Sequence, residues 1–328
     1  MLYLHGVGHF HPENEIDNAF LESLDIGTND RWILERVGIR SRRTVLPLDY
    51  IRATKNRDLR GAPEASIYSN AETGRRAALL AIERAGIQPD ELGMVIAGGC
   101  SPETLVPAEA SRIACALGLA VPAFDMHAAC STFGAQLHFL DRMGPAAPTF
   151  ALVVQPENIT RTIDFGDRGT AVLFGDATTA AVVSTRVPSR ARVLHTTFGT
   201  DPSGCDEVTI PRLGHFRQNG AAVQKFAIKK MSSLLGELGA LLDPAQRERL
   251  LYVGHQANLT MLEAVCRRAG IPPERHLHNI VHFGNQSSAG APSVISQRWD
   301  DFRPGDTVGL VVVGAGLSWS SSAIQFGE

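Results

Sequence analysis

Three side chains in turns rich in small residues are placed to do chemistry. Cys130 lies in FDMHAACSTFGAQLHFL, between two alanines and a Ser-Thr pair. Phe133, Leu137 and Leu140 then fall on one helical face, so Cys130 stands at or just before a helix start. Unpaired N–H groups and the helix dipole there favour a thiolate, and the Cys130 N–H is available to an oxyanion. His255 ends the apolar run LLYVGH and precedes QANLTML, a helix start. Burial and the positive helix end both oppose an imidazolium, which leaves a neutral ring to donate one hydrogen bond. Asn285, in HFGNQSSAG, is bracketed by glycine and serine; a turn residue is the alternative reading. Together the three suit carbon–carbon condensation of acyl thioesters. The cysteine holds one acyl group, and two donors stabilise the enolate formed when a carboxylate leaves the other. No leaving amine needs a proton, so no aspartate partner is required. Cys100, Cys115, Cys205 and Cys266 lack such a setting and read as structural thiols.

Buried strands must carry these turns. MVIAGG, FALVVQ, AVVS, LLYVGH and TVGLVVVGAG are short, β-rich runs of the kind buried on both faces. Helical patterns lie between them, AETGRRAALLAIERAGI, AEASRIACALGL and LTMLEAVCRRAGI, each closed by glycine. The alternation predicts an α/β architecture. An internal echo repeats strand, loop, helix, glycine and small-residue turn, first through Cys100 and Cys130 and again through His255 and Asn285. In this register Cys130 falls opposite Asn285. VPSRAR (Val187–Arg192) marks the boundary, giving halves of residues 1–186 and 187–328.

Composition excludes several classes. The 328 residues are 44% hydrophobic, enough for a large core, and a net charge of −3 gives no sign of a nucleic-acid partner. No apolar run reaches the ~18 residues of a membrane span, and the N-terminus lacks a signal-peptide pattern. The five cysteines are dispersed, without zinc-ligand spacing, so no metal is expected and a reduced, cytoplasmic enzyme is the default.

The motifs carry a family resemblance along nearly the whole chain. VGHFHPEN, RWILERVGIRSRR, FDMHAACSTF, DRGTAVLFGDATTAAVV, GHQAN, HFGNQSSAGAP and GAGLSWSSSAIQF resemble the β-ketoacyl-acyl-carrier-protein synthase III family of the thiolase-like fold. The resemblance implies two similar βαβαβαββ halves in a five-layered αβαβα core. It implies that Cys130 is acylated, that His255 and Asn285 polarise the extender thioester, and that Trp32 and Arg161 sandwich the adenine of coenzyme A, with Arg36 and Arg40 beside that entrance. Indole and guanidinium groups suit a purine and its phosphates. It further implies acyl-CoA or acyl-carrier-protein thioesters as substrates, no cofactor, and a homodimer in which the Leu105-Val106-Pro107 loop reaches the neighbour's acyl pocket. Val106, smaller than its usual counterpart, enlarges that pocket.

Departures point to a specialised member. The family's Gly-Gly-Gly is Gly314-Ala315-Gly316, making the Ala315 N–H the second oxyanion donor, and FGDGAGA is FGDATTA. His127 replaces an alanine, with no role to assign. Thr260 replaces a carrier-docking arginine, while Arg267 and Arg268 match the basic pair beyond it. VVQPENIT replaces a strand end in Gly-Ser-Asp, so Glu157 is an extra acid near the pocket. The main expectation is fatty-acid or polyketide-type condensation. Alternatives are a ketosynthase-cyclase making alkylresorcinol- or stilbene-type rings, an acyltransferase to an alcohol or amine, and a non-catalytic partner subunit.

Overall fold

The short apolar runs become strands of one nine-stranded sheet in the computed structural model, which describes residues 1–328. They are β1 (Leu2–Phe10), β2 (Leu92–Ala97), β3 (Ala123–Asp125), β4 (Phe150–Glu157), β5 (Ala177–Ser184), β6 (Ala191–Thr200), β7 (Leu250–Gly254), β8 (Thr307–Gly314) and β9 (Ser318–Phe326). Their spatial order is β7-β8-β9-β6-β1-β5-β4-β2-β3. The longer helices are α1 (Asp30–Val37), α2 (Asn70–Ala85), α3 (Glu109–Ala116), α4 (Thr132–Met143), α5 (Gly220–Leu241), α6 (Leu259–Ala269) and α7 (Gly290–Gln297). Gly86 and Gly270 close α2 and α6 in the left-handed conformation that their lack of a Cβ permits.

Alternation along the strands sorts the core into layers. In β8, Val308, Leu310 and Val312 face a core shared with α4 and α7, while Val311 and Val313 face one shared with α5 and α6. In β4, Ala151 and Val153 join the same central core, and Leu152 and Val154 pack under α2 and α3. Every side chain of β4 and β5 is buried, as a strand covered on both faces requires. The helix α4 touches β4 and β1 on one side and β6 and β9 on the other, and α7 touches β1, β5 and β7. The layers are therefore α2/α3, the β1–β5 sheet, α4/α7, the β6–β9 sheet and α5/α6, which is the thiolase-like arrangement. Leu2–Leu4 of β1 pairs with Ala191–Val193 of β6 and joins the two sheets at one edge.

The second half departs from the first in one element. Nothing longer than a parallel bridge, Tyr252 with His276, stands where β3 would have its counterpart. The polar HLHN stretch that follows carries no run of apolar residues to bury. The echo also shifts in register. Ala129–Ser131 forms a 3₁₀ turn directly before α4, and Ser287–Ala289 forms one directly before α7. Both begin with a positive φ, 48° at Ala129 and 51° at Ser287. Cys130 therefore corresponds to Ser288, and Asn285 to His127.

Asp176, from FGDATTA, ties the first half together. Its buried carboxylate accepts from the N–H groups of Val45 and Thr160, both at 2.8 Å, and from the Thr160 hydroxyl. Burial pushes it up to about 6.

Candidate active site

Cys130, His255 and Asn285 line one cavity of about 240 Å³, whose walls include Phe174, Ile210, Phe216, Phe226, Met261 and Leu317. Each sits just past the C-terminal end of a short strand or helix. The Cys130 turn follows β3 and leads into α4, and His255 follows β7, its N–H bonded to Val311 O. Asn285 is held by backbone bonds to Leu173 and Gly175. Its Oδ1 accepts from Ser287 N at 2.9 Å, which turns its amide nitrogen toward the space left for a ligand.

The rest of each motif is scaffolding. In GHQAN, Gln256 bonds Gly254 O and Asn279 N, and Asn258 caps α6 through Met261 N. In GNQSSAG, Gln286 bonds His11, Asn279 and Ser293, and Ser287 turns toward the thiol. His255 is buried, and its Nδ1 has no hydrogen-bond partner, so no second bond fixes its tautomer.

The turn between β8 and β9 completes the floor. A Cβ on Gly314 would lie 2.9 Å from Cys130 N and 3.1 Å from Ser131 N, so only glycine fits there. Ala315 lines the cavity and is not among the positive-φ residues, which leaves the geometry expected for its N–H in place. An oxyanion site made of the Cys130 and Ala315 N–H groups is compatible with this backbone.

Cys100, read from sequence as structural, also lines the cavity. The Ser287 hydroxyl donates to Cys100 Sγ at 2.9 Å and lies 3.4 Å from Cys130 Sγ. The Cys130 thiol is held well below the usual cysteine range, first by a hydrogen bond from Cys100, with His255 and Ser287 adding theirs against the effect of burial. Cys100 is raised by the same contact, by burial and by the Glu157 carboxylate. The sequence signal was the small-residue loop GGCS after β2, the counterpart of the loop after β7 that carries His255.

Glu157 does not take the position expected of an extra acid. It is fully buried at the end of β4 and lines neither the Cys130 cavity nor the neighbouring cleft. Its carboxylate accepts from Cys100 N at 2.9 Å, from Ser288 N at 3.1 Å and from the Ser288 hydroxyl. Burial pushes it up to about 7. It props two loops and touches no space open to substrate.

Arg161 needs a second correction. It is buried, pairs with Glu103 at 2.7 Å and donates to Asn70, and it borders the cleft beyond Cys100. Arg168, from DRGT, stands over the Trp32 indole with its guanidinium carbon 5.1 Å from the ring centroid, and Arg36 stands at 4.7 Å. Arg168 and Arg36 are exposed and form no ion pair; Arg40 is exposed nearby in sequence. A hollow beside Asp167, Gly169 and Thr170 shares Phe216 and Gln218 with the Cys130 cavity, so the two lie side by side beneath this basic rim. Thr260 donates to Arg36 O, and Arg267 and Arg268 are exposed on α6.

Val106 lines neither cavity of its own chain and is 84% exposed. Leu105 borders a polar cleft of about 530 Å³ that shares Cys100, His127 and Ile210 with the Cys130 cavity. His127 thus stands in the partition between the two.

The profile of 3-oxoacyl-[acyl-carrier-protein] synthase III matches residues 124–202, and that of its C-terminal part matches residues 247–326. The β-ketoacyl-[acyl-carrier-protein] synthase III of Rhizorhabdus wittichii is 32% identical over 98% of both chains. The crystal structure of 3-oxoacyl-[acyl-carrier-protein] synthase III from Aquifex aeolicus superposes with a TM-score of 0.87, at 27% identity over 99% of this chain and 100% of that one. The priming β-ketosynthase of the R1128 polyketide pathway gives 0.85, at 26% identity over 100% and 97%.

Proposed function

The chain belongs to the β-ketoacyl-[acyl-carrier-protein] synthase III family of condensing enzymes, and on that premise we propose that it loads an acyl group onto Cys130 and joins it to a malonyl- or β-ketoacyl-thioester. The convergence of Cys130, His255 and Asn285 on one apolar cavity carries the reading. The Cys130 thiolate attacks the donor carbonyl, the oxyanion is met by the Cys130 and Ala315 N–H groups, and the donor thiol leaves with a proton. His255 and the Asn285 amide then donate to the carbonyl of the extender thioester. With a malonyl extender, carbon dioxide leaves, and the electrons of the broken C–C bond form the enolate these donors stabilise. The enolate carbon attacks the acyl carbonyl on Cys130, and collapse of that adduct returns the thiolate.

The donor enters on coenzyme A or on the phosphopantetheine arm of a carrier protein, past Trp32, Arg36 and Arg168. The likeness to a polyketide priming ketosynthase supports a place where an acyl chain is started. We also propose a cytoplasmic homodimer. Glu157, the acid that would favour a ring-closing variant, is buried away from the cavity, which supports the linear reading.

Intact-protein mass spectrometry with a panel of acyl thioesters tests the reading. Wild type gains the acyl mass and Cys130→Ala does not. Asn285→Ala still acylates but loses condensation with malonyl thioester by roughly 10²–10³, the cost of one preorganised donor. Acyl transfer to alcohols or amines that is insensitive to Asn285→Ala would overturn condensation in favour of simple transfer.

A further inference from the structure

The nucleophile's neighbour is a second thiol that the condensation does not use. Cys100 sits in the Gly98–Ser101 loop after β2, half-buried, and borders both the Cys130 cavity and the polar cleft. One hydroxyl, that of Ser287, contacts both sulfurs. It lies 2.9 Å from Cys100 Sγ and 3.4 Å from Cys130 Sγ, so it holds the two thiols on either side of one oxygen. The other three cysteines share no such contact; Cys266 is buried on α6, and Cys115 and Cys205 are exposed.

We propose that Cys130 and Cys100 form a reversible intramolecular disulfide on exposure to hydroperoxides, a modification that stops acylation and shields the nucleophile from over-oxidation. The Cys130 thiolate attacks a peroxide oxygen, the O–O bond breaks, and Cys130 becomes a sulfenic acid as hydroxide leaves. Cys100 sulfur then attacks the sulfenic sulfur. The S–S bond forms, the S–O bond breaks, and the departing hydroxide takes the Cys100 proton as water. Two thiols lose two electrons and the peroxide is reduced. A dithiol reverses the step by exchange.

The chemistry of the pair fits these roles. Cys130 has the thiolate character that peroxide requires. The interaction with the Cys130 thiolate, burial and the Glu157 carboxylate together hold the Cys100 proton, and sulfenylation removes the first of these. The polar cleft on the far side of Cys100 admits a small polar oxidant. Transient, redox-sensing disulfides of this type also occur in reducing compartments.

The test treats the full-length protein with a small excess of hydrogen peroxide and reads Cys130 by alkylation and by peptide mapping. It does not depend on condensation activity, so its failure and the failure of the functional reading are separable. In wild type, a linked peptide containing Cys100 and Cys130 appears, alkylation of Cys130 is lost, and dithiothreitol restores it fully. In Cys100→Ser, Cys130 instead gains two or three oxygen atoms, and dithiothreitol restores nothing. Absence of the linked peptide in wild type, which needs no variant to observe, overturns the proposal. So does equal irreversible oxidation of Cys130 in wild type and in a Cys100→Ser protein of native circular dichroism.

Discussion

Arg168 has no carboxylate partner, and its guanidinium covers one side of an indole that Arg36 also covers. A cation held there and open to solvent is suited to a purine and its phosphates. Arg168→Ala is expected to raise KM for an acyl-CoA donor about tenfold, the worth of one charge-assisted contact, with kcat little changed. An acyl-pantetheine donor, which lacks the nucleotide, should show no such rise; an equal rise for both would place Arg168 elsewhere in the reaction. Arg161 is expected to act on stability, because its loss takes the ion-pair partner from a half-buried Glu103 and a donor from Asn70. The two arginines look alike in the sequence RTIDFGDRGT. What separates them is Glu103, brought in from a distant loop, and no local pattern announces that. Cys130, His255 and Asn285 were legible because each stands in a turn of small or polar residues just past a short element. Cys100 stands in the same kind of place, but its proximity to Cys130 depends on how the loop after β2 meets the turn before α4, which is a tertiary fact.

Between elements, Glu157 binds the end of β4 to the Cys100 loop and to the turn before α7. Burial raises its carboxyl from 4.5 to about 7, so the folded protein keeps a proton that the unfolded chain releases. Its contribution is full below about pH 4.5 and is lost as pH rises through about 7. Asp176, raised to about 6, and the buried His9 and His11, lowered from 6.5, also change stability near this range, so Glu157 is isolated by the difference from a variant that shares them. Between about pH 6 and 8 wild type should lose ~1 kcal/mol relative to Glu157→Gln, which stays neutral throughout. Chemical denaturation of both proteins across this range measures it, and parallel curves would show that Glu157 is ionised in the folded state. At this scale the sequence was most readable. Helix ends followed their glycines, and strands followed their short apolar runs. The missing counterpart of β3 was harder to foresee, because two-residue bridges depend on neighbouring strands more than on their own side chains.

Across the whole molecule, the two halves face each other through α4 and α7, and the active site forms where their equivalent turns meet. The outer edges of the sheet are not equivalent. The edge at β7 is partly covered by the His276 bridge, whereas the outer edge of β3 is unpaired. An open strand edge invites a partner. The loop between β2 and α3 also exposes Leu105 at 65% and Val106 at 84%, apolar side chains beside the cleft that leads to Cys100. A second copy would cover these groups and bring its own Leu105-Val106-Pro107 loop to the cleft. Sedimentation equilibrium is therefore expected to return twice the 35.3 kDa chain mass at micromolar concentration. Val106→Glu should weaken the dimer and reduce acylation of Cys130 by long-chain donors more than by acetyl donors, because the charge enters the partner's cleft and not its own cavity. A monomeric wild type with undiminished acylation would mean that one chain completes the site by itself, and that the exposed loop serves another purpose.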